Sequence, residues 1–189
     1  MQAFVFSFYF ALKPIDTRLA WHGPSWRFYI ETLLLPGGST LERGKISHPG
    51  AVVLVPLLTK TTPEIVMIRQ YRHVLDETIW ELPAGTRGWD EDWLLCAQRE
   101  LREETGYRAE QFSPLGRIWP APGSSDELMQ LYLATDLSSD PLPADVDEEI
   151  EVVPMPLDQL MQMVQDGRIQ DAKTIIGLWK TAVYLNTSP

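Results

Sequence analysis

With 189 residues, 44% of them apolar and 22% charged, the chain has the make-up of one soluble globular domain with a full core and room for a small appended sheet. A net charge of −10 argues against a nucleic-acid partner, which would call for a basic stripe, and no apolar run approaches the ~20 residues of a membrane span. Cys96 is the only cysteine, which excludes an intrachain disulfide and makes a reducing compartment, the cytoplasm, the expected location.

The N-terminal MQAFVFSFYFALKP has an apolar run but neither a basic leader nor a small-residue cleavage site, so a secretory signal fits poorly. Residues 1–20 are read as an extension, either a short strand or disordered chain. Ser25–Leu35 is rich in aromatic and β-branched residues, Pro36-Gly37-Gly38-Ser39 is a turn cluster, and Thr40–Ser47 can return as a second strand. This predicts a hairpin within 21–48, ahead of a main domain over 49–189. A two-stranded hairpin is marginal alone and must pack on something, a second subunit being one candidate.

After His48-Pro49-Gly50, Ala51–Leu58 is a nearly continuous apolar run suited to a strand covered on both faces. Glu64–Tyr71 gives another strand, followed by Arg72, and Ile79–Leu82 a short one running into Pro83-Ala84-Gly85. From Asp92 the pattern turns helical, with Asp92 as N-cap and Gly106 as a left-handed C-cap. At about 100° per residue Leu94, Ala97 and Leu101 share a face, and Glu100, Glu103 and Glu104 gather on an adjacent one. Carboxylates at these spacings repel by a few tenths of a kcal/mol per pair. Hard divalent cations want such an oxygen cluster, although a solvated Glu-rich face is the plain alternative. Cys96, beside Ala97, reads as a buried packing residue.

Leu115–Trp119 reads as a strand, Pro120–Ser125 as a rigid loop, Leu128–Ala134 as a strand and Ser138–Asp147 as an acidic loop. Glu149–Met155 is a further strand. Two helices follow: one capped by Asp158 and carrying Leu160, Met161 and Val164, the other capped by Asp171 with an apolar face of Ile175, Ile176, Trp179 and Val183. The Met and Trp residues in them read as core packing. A mixed sheet flanked by helices is an α/β/α sandwich. His22, His48 and His73 form no metal-ligand spacing.

The stretch from Gly85 is more demanding than any single helix face. Gly85, five residues, Glu91, seven residues, then Arg99-Glu100-Leu101-Arg102-Glu103-Glu104-Thr105-Gly106-Tyr107 resembles the Nudix box GX5EX7REUXEEXGU at every fixed position. The resemblance implies a Nudix fold and metal-dependent substitution by water at a nucleoside diphosphate linked to another moiety. It implies Glu100 and Glu104 as chief ligands of Mg²⁺ or Mn²⁺, Glu103 close behind, and the carbonyl of Ala84 as another. Arg99 is implied to orient a carboxylate, Gly85 and Gly106 to shape the backbone, and Glu91 either to hold the loop or to bind metal.

Motifs outside the box are similar to those of ADP-ribose pyrophosphatases: Arg69-Gln70-Tyr71-Arg72, Glu81-Leu82-Pro83-Ala84-Gly85, and Pro122, fifteen residues past Tyr107, in APGSSDE. The resemblance covers roughly Trp26 to Leu185 and implies cleavage of ADP-ribose to AMP and ribose 5-phosphate by a homodimer. It implies a base from the loop beyond the box, Glu148 with Glu149 as substitute; Glu103 is the helix-borne alternative. Arg72 is implied at the diphosphate or adjoining sugar, with an ion pair to Glu81 as its structural alternative, Glu127 at the sugar, and Trp26 and Phe28 at the base. The returning strand Thr40-Leu41-Glu42-Arg43 has no second aromatic, which leaves other nucleotide sugars, GDP-mannose included, open. A non-catalytic ADP-ribose sensor is disfavoured by the intact box.

Overall fold

The computed structural model describes residues 12–59, 61–143 and 149–187. Three strands, β1 (Pro14–His22), β2 (Arg27–Leu34) and β3 (Thr40–Ser47), form a small antiparallel sheet in the order β1-β2-β3. The expected hairpin is β2–β3. What the sequence left undecided is β1, which pairs along β2 from Pro14↔Leu33 to His22↔Arg27 and is exposed throughout. Far from any core, it carries no burial pattern to read. β3 ties this sheet to the main body: Ile46 N–H donates to Ser124 O (2.8 Å) and Asp126 N–H to Ile46 O (3.1 Å).

The main sheet comprises β4 (Ala51–Thr59), β5 (Glu64–Arg72), β6 (Glu77–Glu81), β7 (Ala84–Thr86), β8 (Tyr107–Ile118), β9 (Met129–Ser139) and β10 (Ile150–Pro156). Its order is β10-β5-β4-β9-β8, with β6 on β5 and β7 on β4. Only β4 and β9 run parallel among the paired strands, so the sheet is mixed. Helices α1 (Trp93–Thr105), α2 (Leu157–Gln165) and α3 (Ala172–Thr187) complete the described residues.

The apolar run of β4 is explained by the two cores it divides. Val52 and Leu54 pack with Cys96, Ala97 and Leu101 of α1, while Val53, Val55 and Leu57 pack with Leu160, Met163 and Leu178 of α2 and α3. Alternate residues of one strand thus serve opposite layers, each fully buried aliphatic contributing about 1.5–3 kcal/mol. This is the expected α/β/α sandwich.

Some local expectations are corrected. Leu94 is 49% exposed, because the inward face of α1 is Cys96, Ala97, Glu100, Leu101 and Glu104. Trp179 and Val183 are exposed too: α3 turns Thr174, Gly177, Leu178 and Thr181 inward, and Gly177 allows close approach, since a Cβ there would lie 2.5 Å from Leu82 Cδ1. α2 begins at Leu157 with Pro156 at its N-cap, and Asp158 sits inside the first turn, accepting from Gln159 N–H (2.8 Å). The expected strand Leu115–Trp119 is the tail of the longer β8, which ends at Ile118 and is bulged between Pro114 and Gly116, where Gly116 adopts φ 108°.

Candidate active site

Two local devices set the acidic side chains of α1 against the strand that precedes it. Asp92 Oδ1 caps the helix by accepting from Leu94 and Leu95 N–H (2.8 and 3.2 Å), and Gly106, at φ 75°, closes it through its N–H on Arg102 O (3.1 Å). β7 pairs with the start of β4, Val52 opposite Gly85 and Val53 opposite Ala84, which carries the Ala84–Gly85 backbone onto the helix. Ala84 N–H donates to Glu104 Oε2 (2.8 Å). The Glu100 carboxyl fills the space at Gly85 so closely that a Cβ there would lie 1.9 Å from Glu100 Cδ. Glu100 and Glu104 are nearly buried, at 8% and 5% exposure.

Arg99 gathers the remaining acids. Its Nε and Nη2 donate to Glu91 Oε1 and Oε2 (2.9 and 3.0 Å), while Nη1 reaches Glu103 Oε2 (2.8 Å) and Glu100 Oε1 (2.7 Å). Glu91 Oε2 also accepts from Gly88 N–H (2.8 Å). The Arg99 guanidinium thereby holds the Glu91 carboxyl down at about 2, and these carboxylates hold Arg99 above its usual value. Glu91 is a loop clasp here. Arg87 reinforces the same loop, donating to Pro49 O (3.0 and 2.7 Å) and Glu91 O (2.6 Å) and stacking 4.5 Å from the Trp93 ring centroid. Burial pushes the Cys96 thiol up to about 12, as befits a packing residue.

A folded-state value below the ordinary 4.5 means that the Glu91–Arg99 pair stabilises the protein above that pH and ceases to do so as pH falls toward 2. Allowing for partial exposure, the contribution is about 1–2 kcal/mol. Glu91→Gln should unfold at a lower temperature than wild type at pH 7, and the gap should shrink as both are titrated below pH ~4.5.

Of the three box carboxylates on α1, Glu100 lines a cleft of about 490 Å³, while Glu103 and Glu104 are not part of its lining. Ala84, Gly85, Thr86, Arg99 and Glu100 form one side; Arg72, Asp171 and Lys173 another; Glu127 and Pro120 come from the loop before β9 and Ser25 from the small sheet. Arg72 lies in the cleft and is also paired, as the alternative reading had it: its Nε and Nη2 donate to Glu81 Oε1 and Oε2 (2.6 and 2.8 Å). Lys173 Nζ donates to the same Glu81 Oε2 and to Asp171 Oδ2 (3.0 Å). Burial alone would raise the Glu81 carboxyl, yet the bonds from Arg72 and Lys173 outweigh it and hold it below its ordinary value.

Glu127 sits 3.8 Å from His48 Nδ1. That nitrogen accepts from Gly50 N–H (3.1 Å), and burial lowers the His48 value against the pull of Glu127 and Asp126, so the imidazole is neutral and the approach is not an ion pair. Trp26 and Phe28 do not line this cleft within one chain. Trp26 packs on Trp21 with centroids 4.5 Å apart, and Phe28 covers Gly44, where a Cβ would lie 2.7 Å from its Cζ. Glu148 lies outside the described residues, and Glu149 lines a separate hollow with Arg69, Tyr71, Thr78 and Glu151.

Among the described residues no three Asp, Glu, His or Cys side chains stand in an arrangement that would hold a cation. The donor chemistry fits one nonetheless. Glu100, Glu103 and Glu104 are hard oxygen ligands, the first stands in a cradle that a Cβ at Gly85 would fill, and Arg99 already places positive charge between Glu100 and Glu103.

Sequence reasoning missed Lys173 and the place of Asp171 in the cleft wall. One signal was available: a Lys in the first turn of a helix opposes the macrodipole and calls for a specific anionic partner.

The family model described as NUDIX domain matches residues 47–176. Curated relatives include the methanol dehydrogenase activator of Bacillus methanolicus, 36% identical over 171 residues and covering 89% of this chain and 91% of that protein. The ADP-ribose pyrophosphatase of Bacillus subtilis is 35% identical over 164 residues, with 86% and 88% covered. The GDP-mannose pyrophosphatase of Cronobacter sakazakii is 35% identical over 136 residues, with 67% and 70% covered. A solved structure described as an ADP compounds hydrolase superposes with a TM-score of 0.79 at 20% identity, over 93% of this chain and 94% of that one, which bears on the fold.

Proposed function

The chain belongs to the Nudix family and is a Nudix hydrolase, and from that premise we propose that it cleaves the diphosphate of a nucleoside diphosphate sugar, ADP-ribose, giving AMP and ribose 5-phosphate. The observation that carries the reading is the cleft itself, whose lining brings Glu100 and Ala84–Gly85 together with Arg72. Carboxylate oxygens suit a cation, and the Arg72 guanidinium suits phosphate oxygens.

In this reading Glu100, Glu103, Glu104 and the Ala84 carbonyl hold Mg²⁺, or Mn²⁺. The divalent cation supplies charge neutralisation and Lewis acidity at the diphosphate. Arg99 keeps Glu103 and Glu100 turned toward each other, and Arg72 takes a phosphate oxygen. Glu148 accepts the proton of the attacking water, with Glu149 or Glu103 as the alternatives, and Glu127 contacts the sugar. Trp26 and Phe28 stack on the base from the small sheet of the second subunit in a homodimer. For a chain of net charge −10 acting on an anionic substrate, the cation and Arg72 offset a repulsion that would otherwise oppose binding. Location in the cytoplasm belongs to the same reading.

A second reading, GDP-mannose or a broader range of nucleotide sugars, is favoured by one observation: Thr40–Arg43 provides no aromatic partner to complete an adenine sandwich. Hydrolysis assays with Mg²⁺ over ADP-ribose, GDP-mannose, UDP-glucose and NADH separate the two. Fastest turnover of ADP-ribose, with AMP and ribose 5-phosphate as products, is expected. Preference for GDP-mannose would move the assignment to the second reading, and no hydrolysis of any of them would sink both.

A further inference from the structure

The geometry points to Lys173 as a positioning residue that keeps Arg72 presented to the diphosphate, an inference that rests on the reading of the cleft given above. Glu81 is 1% exposed and lies behind the cleft wall, with Arg72 bound to both of its oxygens and Lys173 to one of them. Lys173 is held in turn by Asp171 Oδ2 (3.0 Å), which also accepts from Thr174 N–H and Oγ1–H (3.0 and 2.6 Å). Thr174 Oγ1 accepts from Leu82 N–H (2.8 Å), returning to the residue next to Glu81. The contacts therefore form a closed ring joining the end of β6 to the start of α3, and Arg72, at the end of β5, is attached to it through Glu81.

Charge decides what the ring does. Among the described residues lining the cleft, the cations are Arg72, Arg99 and Lys173, and Arg99 is engaged by Glu91, Glu100 and Glu103. Arg72 and Lys173 face two anions, Glu81 and Asp171, so this wall is balanced. Taking away Lys173 leaves two carboxylates behind a single arginine. Arg72 would then be drawn back onto Glu81 and Asp171, and an incoming phosphate would meet a wall more negative by one charge. The carboxylates of α1, on the other side of the cleft, are untouched by this change, so binding should suffer and the chemical step should not.

The experiment compares Lys173→Met, Lys173→Arg, Asp171→Asn and Thr174→Val in two assays. One is steady-state hydrolysis of ADP-ribose with Mg²⁺; the other is calorimetric binding of ADP-ribose in EDTA. Lys173→Met should raise KM and weaken metal-free binding by about tenfold with kcat within about twofold of wild type, and Lys173→Arg should restore most of the loss. Thr174→Val, which breaks the ring without changing its charge, should lower Tm and leave KM alone; a purely structural role for Lys173 would make Lys173→Met behave in the same way. Asp171→Asn removes a negative charge from the wall and should lower KM, which decides the matter even where Lys173→Met fails to fold. An unchanged or raised KM in Asp171→Asn, or a wild-type KM in folded Lys173→Met, overturns the inference while leaving the hydrolase reading standing. A wild type that turns over no nucleotide sugar overturns that reading and this inference with it.

Discussion

Glu104→Gln is expected to lower diphosphate hydrolysis by about 10²–10⁴-fold while the protein stays folded, because under the proposed reading Glu104 is a cation ligand and the change removes several kcal/mol of charge stabilisation but little else. Gln keeps a carbonyl oxygen where Glu104 Oε2 now accepts the Ala84 N–H at 2.8 Å, so the clasp between β7 and α1 survives. The side chain is only 5% exposed, and a neutral amide there imposes no added burial cost. Circular dichroism and thermal melting should match wild type, and the loss should appear in kcat. Near wild-type turnover in the folded variant would remove Glu104 from the cation site. The same assay locates the base: Glu148→Gln should be the slower variant if the loop supplies it. A Glu148→Gln enzyme with full rate beside a crippled Glu103→Gln would place the base on α1.

Gly85→Ala should be almost as damaging for a steric reason. The new methyl would lie 1.9 Å from Glu100 Cδ and 2.0 and 2.3 Å from its carboxylate oxygens. Those atoms are the far end of a flexible side chain, so the clash is relieved by swinging Glu100 away; the fold loses only about 1–3 kcal/mol. The loss falls on Glu100, which leaves its place beside Glu104 and its contact with Arg99. Activity should fall by about 10²-fold or more, on the scale expected for misplacing one group of a preorganised site. Gly106→Ala is the contrasting case. Its φ of 75° makes a side chain strained, and stability should drop, but the added Cβ would meet nothing closer than Pro141 Cβ at 3.7 Å. Folded Gly106→Ala should therefore retain most of its rate, and equal losses in the two variants would show that Gly85 is merely a turn residue.

What the sequence by itself determined lies within short spans of chain. Asp92 and Gly106 bound α1 because an N-cap carboxylate and a left-handed glycine act on backbone groups two to four residues away. Ala51–Leu58 reads as a doubly covered strand because no residue in it can face water at low cost. The clustering of Glu100, Glu103 and Glu104, and of Arg99 with Glu103, follows from helical spacing alone. Only the tertiary structure decided which long-range partners those groups meet. Glu81 and Lys173 stand 92 residues apart in sequence. Their meeting depends on where α3 docks against β4 and β8, and that docking is set by an inward face of Thr174, Gly177, Leu178 and Thr181 that hydrophobic periodicity does not mark, so Trp179 and Val183, the more apolar choice, are the ones left exposed. β1 is the same case in strand form: exposed along its whole length, it is fixed by backbone pairing with β2, and hydrogen bonds between main chains leave no trace in the identity of side chains.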